Sequence, residues 1–140
     1  MAERQTEAVH SEAAGLDTKA PQAVLRLLAE GQVEAAKSAL AAVDALADAA
    51  DLVAGKLAAG GRLVYAAAGS SALMALADAL ELPGTFGIPP ERVVVLIAGG
   101  VAALSYLSGA PEDSEDAGAA EMERIGLDPR DCLIAVSASG

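Results

Sequence analysis

Tryptophan is absent from this sequence, phenylalanine occurs once and tyrosine twice. Aromatics make up only 2% of residues while apolar residues make up 54%, so the core has to be assembled from Ala, Leu and Val. Side chains that small let helices approach a sheet closely. Cysteine is equally scarce. Cys132 is the single thiol, which excludes a disulfide within these residues, and its place in an apolar run reads as a buried, inert thiol. Histidine is reduced to His10, so neither a Ser-His-Asp arrangement nor a His-rich metal site is expected. Basic residues are outnumbered, nine Lys and Arg against twenty Asp and Glu, for a net charge of −11. Such a surface repels polyphosphates and argues against a nucleic-acid partner. One phosphate group is a different matter, because backbone N–H groups at a helix start can hold it.

Long apolar runs are also lacking. The longest, Val93–Leu107, is about 15 residues and carries Gly99 and Gly100, which is short for a membrane span. Met1–Ser11 is polar and charged without the apolar centre of a signal peptide. A soluble, cytoplasmic protein with no membrane partner is the expectation. With 140 residues the chain is long enough for one domain with a core and too short for two.

Met1–Gly15 is polar and without period, and reads as an arm. In "LDTKAPQAVLRLLAEG", Thr18 is a candidate N-cap, Pro21 suits a first turn and Gly31 a stop. A second helical pattern runs from about Gln32 to Leu57, with Val43, Leu46, Ala50, Val53 and Leu57 forming one apolar stripe. Gly60 and Gly61 end it. The helical segment therefore covers residues 16–60, and the character changes at 61. Leu63–Ala68 is a short apolar run that suits a buried parallel strand. Ser70–Leu82 returns to helix, and "LPGTFGIPP" reads as a turn-rich connection. "RVVVLIAGG" is a second strand, Val101–Leu107 a short helix, "SGAPEDSED" an acidic loop, Ala117–Ile125 a helix and "CLIAVSASG" a third strand. Alternating strands and helices predict an α/β fold, with N-terminal helices followed by a parallel sheet flanked by helices in residues 61–140. Three strands make a small sheet, and the chain reads as the front part of a longer product.

Two strand ends are chemically alike, "AAAGSS" at Ala66–Ser71 and "VSASG" at Val136–Gly140. Ligands of open parallel sheets bind outside the carboxyl ends of strands. Small residues there let backbone approach a ligand, and free N–H groups and the dipole of a following helix favour an anion. Gly69, Ser70, Ser71, Ser137, Ser139 and Gly140 are thus candidate ligands for a phosphate, with a sugar phosphate the natural small candidate. The alternative is that these residues only end strands and cap helices. Neither loop fits the P-loop or the dinucleotide-binding glycine pattern. A second constellation is carboxylate: Glu81 before Pro83, and Glu112 and Asp113 in the acidic loop. Acid–base chemistry on a sugar could use two carboxyl groups held at different pKa values, although most acidic residues in such a chain are solvated surface. Tyr65 and Tyr106 read as core or interface residues.

"GGRLVYAAAGSSALMALADALELPGTFGIPPERVVVLIAGG" resembles the N-acetylmuramic acid 6-phosphate etherase family of sugar isomerase (SIS) domain proteins. In that family a strand leads into G-A-G-T-S-G-R, then a helix, then A-E-C-P-P-T-F/Y-G. The corresponding stretches here are "AAGSSAL" and "LELPGTFG", and the likeness extends to Thr6-Glu7, "LDT", "IAGG", "EDS" and "SASG". The resemblance implies a Rossmann-like three-layer SIS fold, of which this chain is the N-terminal half, its last loop continuing beyond Gly140. It also implies a homodimer and a lyase of cell-wall recycling. Such a lyase removes D-lactate from C3 of N-acetylmuramic acid 6-phosphate by elimination and then adds water, without metal or organic cofactor. Glu81 falls on the Glu of the A-E-C-P-P motif, and Glu112 takes the place of the second family Glu. Leu73 stands where the family has Arg, Ala72 where it has Gly, and Ala8, Val9 and His10 replace Q-R-N. These departures keep a second reading open, a non-catalytic sugar-phosphate-binding regulator.

Overall fold

The computed structural model of the chain describes residues 8–106 and 114–138. The chain divides into two compact units with the boundary after Ala50. In the first, helix α1 spans Pro21–Ala41 and α2, Val43–Ala58, begins. Proline opens α1 as expected, but Thr18 does not cap it. Thr18 lies in a single 3₁₀ turn, its Oγ1 donating to the Gly15 carbonyl at 2.8 Å, and Ala20 holds the cap position. Gly31 does not stop the helix either. A glycine interior to a helix costs only about 1 kcal/mol, and good helix formers on both sides carry α1 ten residues further. The break falls at Ala42, whose φ of −101° and ψ of 8° leave the helical region. No α1 residue is buried, and Leu25, Leu28, Val33 and Leu40 are exposed.

The second unit is a three-stranded parallel sheet flanked by helices. Its strands are β1, Leu63–Ala67, β2, Val93–Ile97, and β3, Cys132–Val136, in the order β2-β1-β3. Helix α3 spans Gly69–Phe86, the short α4 Gly100–Ala103 and α5 Glu115–Ile125. The registers place Tyr65 between Val95 and Ile134, and Ala67 between Ile97 and Val136. Alternation along the strands sends Leu63 and Tyr65 to one face, where Ala75 and Ala79 of α3 complete the buried cluster. Ala72, Ala75 and Ala79, spaced three and four apart, are the buried face of α3. The shortage of aromatics is answered here, because alanines allow α3 to lie close on the strands. Val53 and Leu57 of α2 pack on the same cluster, and so does Cys132, which is half-buried rather than buried. Tyr65 is core as expected. Its hydroxyl reaches past the apolar layer to donate to Asp78 of α3, and burial pushes its pKa up. Tyr106, by contrast, is 87% exposed. Among the described residues no helix is long and apolar enough to cross a membrane.

Two features lock the amino ends of β1 and β3 together. Gly61 is buried, and a Cβ there would come within 2.0 Å of the Arg130 carbonyl oxygen, so only glycine permits this backbone crossing. Next to it, Asp131, whose side chain is 3% exposed, accepts from the Arg62 backbone N–H at 2.8 Å and from the Arg62 guanidinium at 2.6 Å. The Asp128 N–H adds a further donor at 2.9 Å. The remaining guanidinium donors reach the carbonyls of Ile125 and Gly126 at 3.2 and 3.0 Å, closing the end of α5. The Arg62 hydrogen bond holds the Asp131 carboxyl well below the usual carboxylate range, against an opposing effect of burial. A carboxyl depressed in the folded state stabilises the fold above its unfolded pKa near 4, and that contribution fades as pH falls below it. Asp131→Asn should therefore lower unfolding free energy at pH 7 by about 3 kcal/mol, since it leaves Arg62 half-paired. Urea titrations at pH 7 and pH 3 check this, with the deficit expected to shrink at the lower pH.

Candidate functional site

Because β1 and β3 are neighbours in register, the two serine-bearing loops that follow them start side by side. Ala67 pairs with Val136, and adjacent strands lie about 4.8 Å apart. The two loops, alike in chemistry, are thus alike in place as well, at the carboxyl edge of the sheet.

The first loop is built for close approach. Ala68 is extended, with φ −130° and ψ 160°, and Gly69 then turns with φ +52° into α3. That positive φ is the conformation for which glycine is suited. Ala68 holds the cap position and offers no side-chain acceptor of its own to the start of α3. The first-turn N–H groups of a helix have no intrahelical acceptors, and they carry the positive end of its dipole. Ser70 is exposed and Ser71 half-buried on that turn. The second loop begins with Ser137, which is exposed. Ser139 and Gly140 lie outside the described residues. The strand end of β2 adds two more left-handed glycines, Gly99 with φ 76° and Gly100 with φ 73°, and the Ala98 N–H donates to the Ala67 carbonyl at 3.0 Å. The carboxyl edge is therefore all small residues and turned backbone, an arrangement that can accept an anion.

Glu81 is not at that edge. Helix α3 continues through "LPGTF", where the sequence pattern predicts a turn, because Pro83 lacks only one backbone donor and its φ already suits a helix. The helix ends at Gly87, whose φ of 66° supplies the left-handed cap, with Gly87 N–H to the Pro83 carbonyl at 3.1 Å and Ile88 N–H to that of Leu82 at 3.5 Å. Eleven residues separate Glu81 from Ser70 on this one helix, roughly 16 Å along its axis. A sugar phosphate held at the serine loop cannot span that distance. Glu81 is exposed and accepts from Thr85 Oγ1 at 3.3 Å. Sequence reasoning does not single out this partner, although the threonine stands in the matched motif. Glu112 lies outside the described residues, as do Thr6 and Glu7. Leu73, on the second turn of α3, is 43% exposed. The acidic Asp128 at the opposite edge is held down to about 2 by hydrogen bonds from Arg130, a surface pair remote from these loops.

The SIS domain family matches residues 30–140. Among curated proteins, an N-acetylmuramic acid 6-phosphate etherase of Deinococcus radiodurans is 44% identical over 137 residues, covering 98% of this chain and 45% of its own length. The etherase of Rubrobacter xylanophilus is 37% identical over 140 residues, all of this chain and 46% of its own length. That of Synechococcus sp. is 40% identical over 135 residues, 96% of this chain and 43% of its own. The chain spans less than half the length of these relatives.

The start of α3 predicts opposite effects of one substitution. Ser70→Asp should strengthen the helix by about 0.5 kcal/mol through its dipole while placing a negative charge where an anion would sit. Melting temperatures measured with increasing inorganic phosphate should rise for the unchanged protein and stay level for Ser70→Asp.

Proposed function

The chain belongs to the SIS domain family, and from that premise we propose that it serves an etherase of cytoplasmic cell-wall recycling. Its reaction cleaves the lactyl ether of N-acetylmuramic acid 6-phosphate to N-acetylglucosamine 6-phosphate and D-lactate. The observation that carries the reading is the pair of adjacent serine loops at the carboxyl edge of β1 and β3, in a chain 37–44% identical to proteins named as such etherases. Gly69, Ser70 and Ser71 hold the phosphate from one loop, Ser137, Ser139 and Gly140 from the other.

The chemistry is an elimination. The proton on C2 is acidic in the open-chain sugar because C1 is then an aldehyde. A carboxylate removes it, the C2–C3 double bond forms, and the C3–O bond breaks as a carboxylic acid protonates the departing lactyl oxygen. Water then adds its hydroxyl to C3 and a proton returns to C2. Glu81 and Glu112 are the two carboxyl groups, and proton transfer between such groups and carbon or oxygen calls for no metal or organic cofactor. The length of α3 supports a site shared between two copies. Glu81 lies too far along the helix to serve a phosphate held by its own chain's loop, so it serves the loop of a second copy in a homodimer. The exposed apolar residues of α3, Leu73, Met74 and Leu80, give the helix a surface that favours being covered.

A second reading, a sugar-phosphate-binding regulator without turnover, draws its support from Leu73. An exposed leucine there offers no charge for the carboxylate of the lactyl group.

Incubating the complete gene product with N-acetylmuramic acid 6-phosphate should release D-lactate, and Glu81→Gln should reduce that release at least 100-fold while sugar-phosphate binding persists. Binding without lactate from the unchanged protein would favour the regulator. Shared sites have their own signature. Glu81→Gln and Ser70→Asp copies, each inactive alone, should regain roughly a quarter of full activity when co-expressed, because half the random dimers contain one intact site of two. Failure to regain activity would place Glu81 and the loop within one chain's site.

A further inference from the structure

The last turns of α3 hold a hydroxyl that the elimination chemistry does not use. Thr85 follows Glu81 by four residues, the spacing at which helical side chains meet, and its Oγ1 donates to Glu81 Oε1 at 3.3 Å. Glu81 is exposed, and an exposed glutamate otherwise distributes over several rotamers, at an entropic cost whenever one must be selected. The turn that carries Thr85 is itself held. Pro83 restricts the backbone between the two residues, and the left-handed Gly87 closes the helix with its paired bonds to Pro83 and Leu82. Leu82, on the same turn, is anchored against the buried cluster formed with Leu63 and Tyr65. The donor is therefore on a fixed turn of helix, while the acceptor is on a side chain that would otherwise swing.

We infer that Thr85 is a positioning residue for Glu81. Its hydroxyl holds one carboxyl oxygen, so that Oε2 is left for proton transfer in a restricted set of directions. The inference rests on the reading of Glu81 as a proton-transfer group, and it adds a specific role for the threonine four residues on. Valine has the same shape and branching as threonine and lacks the hydroxyl. Serine keeps the hydroxyl and loses the methyl.

The test uses the complete gene product and D-lactate release from N-acetylmuramic acid 6-phosphate. Thr85→Val should lower kcat roughly 3- to 10-fold, the range of a single hydrogen bond, with KM unchanged. Thr85→Ser should stay within about twofold of the parent. Thr85→Ala carries the same expectation as the valine variant and serves if valine disturbs folding, which melting temperatures report. Equal losses in the serine and valine variants, an unchanged kcat for valine and alanine, or a rise in KM alone would each overturn the assignment. Glu81→Gln is measured alongside. If it retains activity, the reading of Glu81 itself falls; if it is inactive and the threonine variants are unaffected, only the role of Thr85 falls.

Discussion

The pairing of Arg62 with Asp131 is the constraint on which the sheet depends. A carboxylate with only 3% of its side chain exposed would be costly to bury alone. Here it is satisfied by one guanidinium and two backbone N–H groups, those of Arg62 and Asp128. The same guanidinium takes up the last carbonyls of α5, so one side chain joins the entry to β1, the turn before β3 and the end of the helix between β2 and β3. Lys56 adds a bond from α2 to the Pro129 carbonyl, and Arg92 reaches the Leu57 carbonyl at 3.0 Å. The amino edge of the sheet is thus tied by polar groups, while its carboxyl edge is left to glycine, alanine and serine. Rigidity at one end and open backbone at the other are what a ligand site at strand ends requires.

Helix α3 connects these ends physically. Its buried face is alanine throughout, which fixes its distance from β1 without directing any large side chain into the sheet. Its N-cap, Ala68, contributes no side-chain bond, and its last turns carry Glu81 and Thr85. One element therefore carries the serine-bearing turn near one end and Glu81 toward the other, roughly 16 Å apart along its axis. The proposed composite site follows from that length more than from any property of the exposed surface.

Strand and helix types in the second unit were legible in the sequence, because short apolar runs between glycines and turn residues mark the strands, and the β-branched run Val93–Val95 marks β2 most clearly. The parallel order could be expected, but the adjacency of the two serine loops depends on β3 pairing with β1, which no local pattern specifies. Two differences between pattern and structure share one cause. Gly31 and Pro83 are residues that weaken a helix, yet each is outweighed by its neighbours, and α1 and α3 both run further than punctuation suggests. The extension of α3 matters for Thr85 rather than for Glu81: the sequence pattern already carries its helix to Leu82, past Glu81, and the added turn brings the threonine onto the same helix. Thr18 departs from expectation for the opposite reason, its hydroxyl finding the Gly15 carbonyl before any helix begins. The motif likeness points to Glu81, and its eleven-residue spacing from Ser70 is already in the sequence, while the bond from Thr85 emerges only with the helix drawn to its end.

The Arg62–Asp131 pair spans 69 positions of sequence, and β1 must wait for both of its partners before both of its edges are closed. Local helices can form in microseconds, whereas such distant pairings bear the entropy of closing a long loop before any contact rewards it. During synthesis Arg62 leaves the ribosome long before its carboxylate exists, and stays hydrated with β1 half-paired. The arrival of Asp131 then fastens β3 beside β1 at the amino edge of the three-stranded sheet.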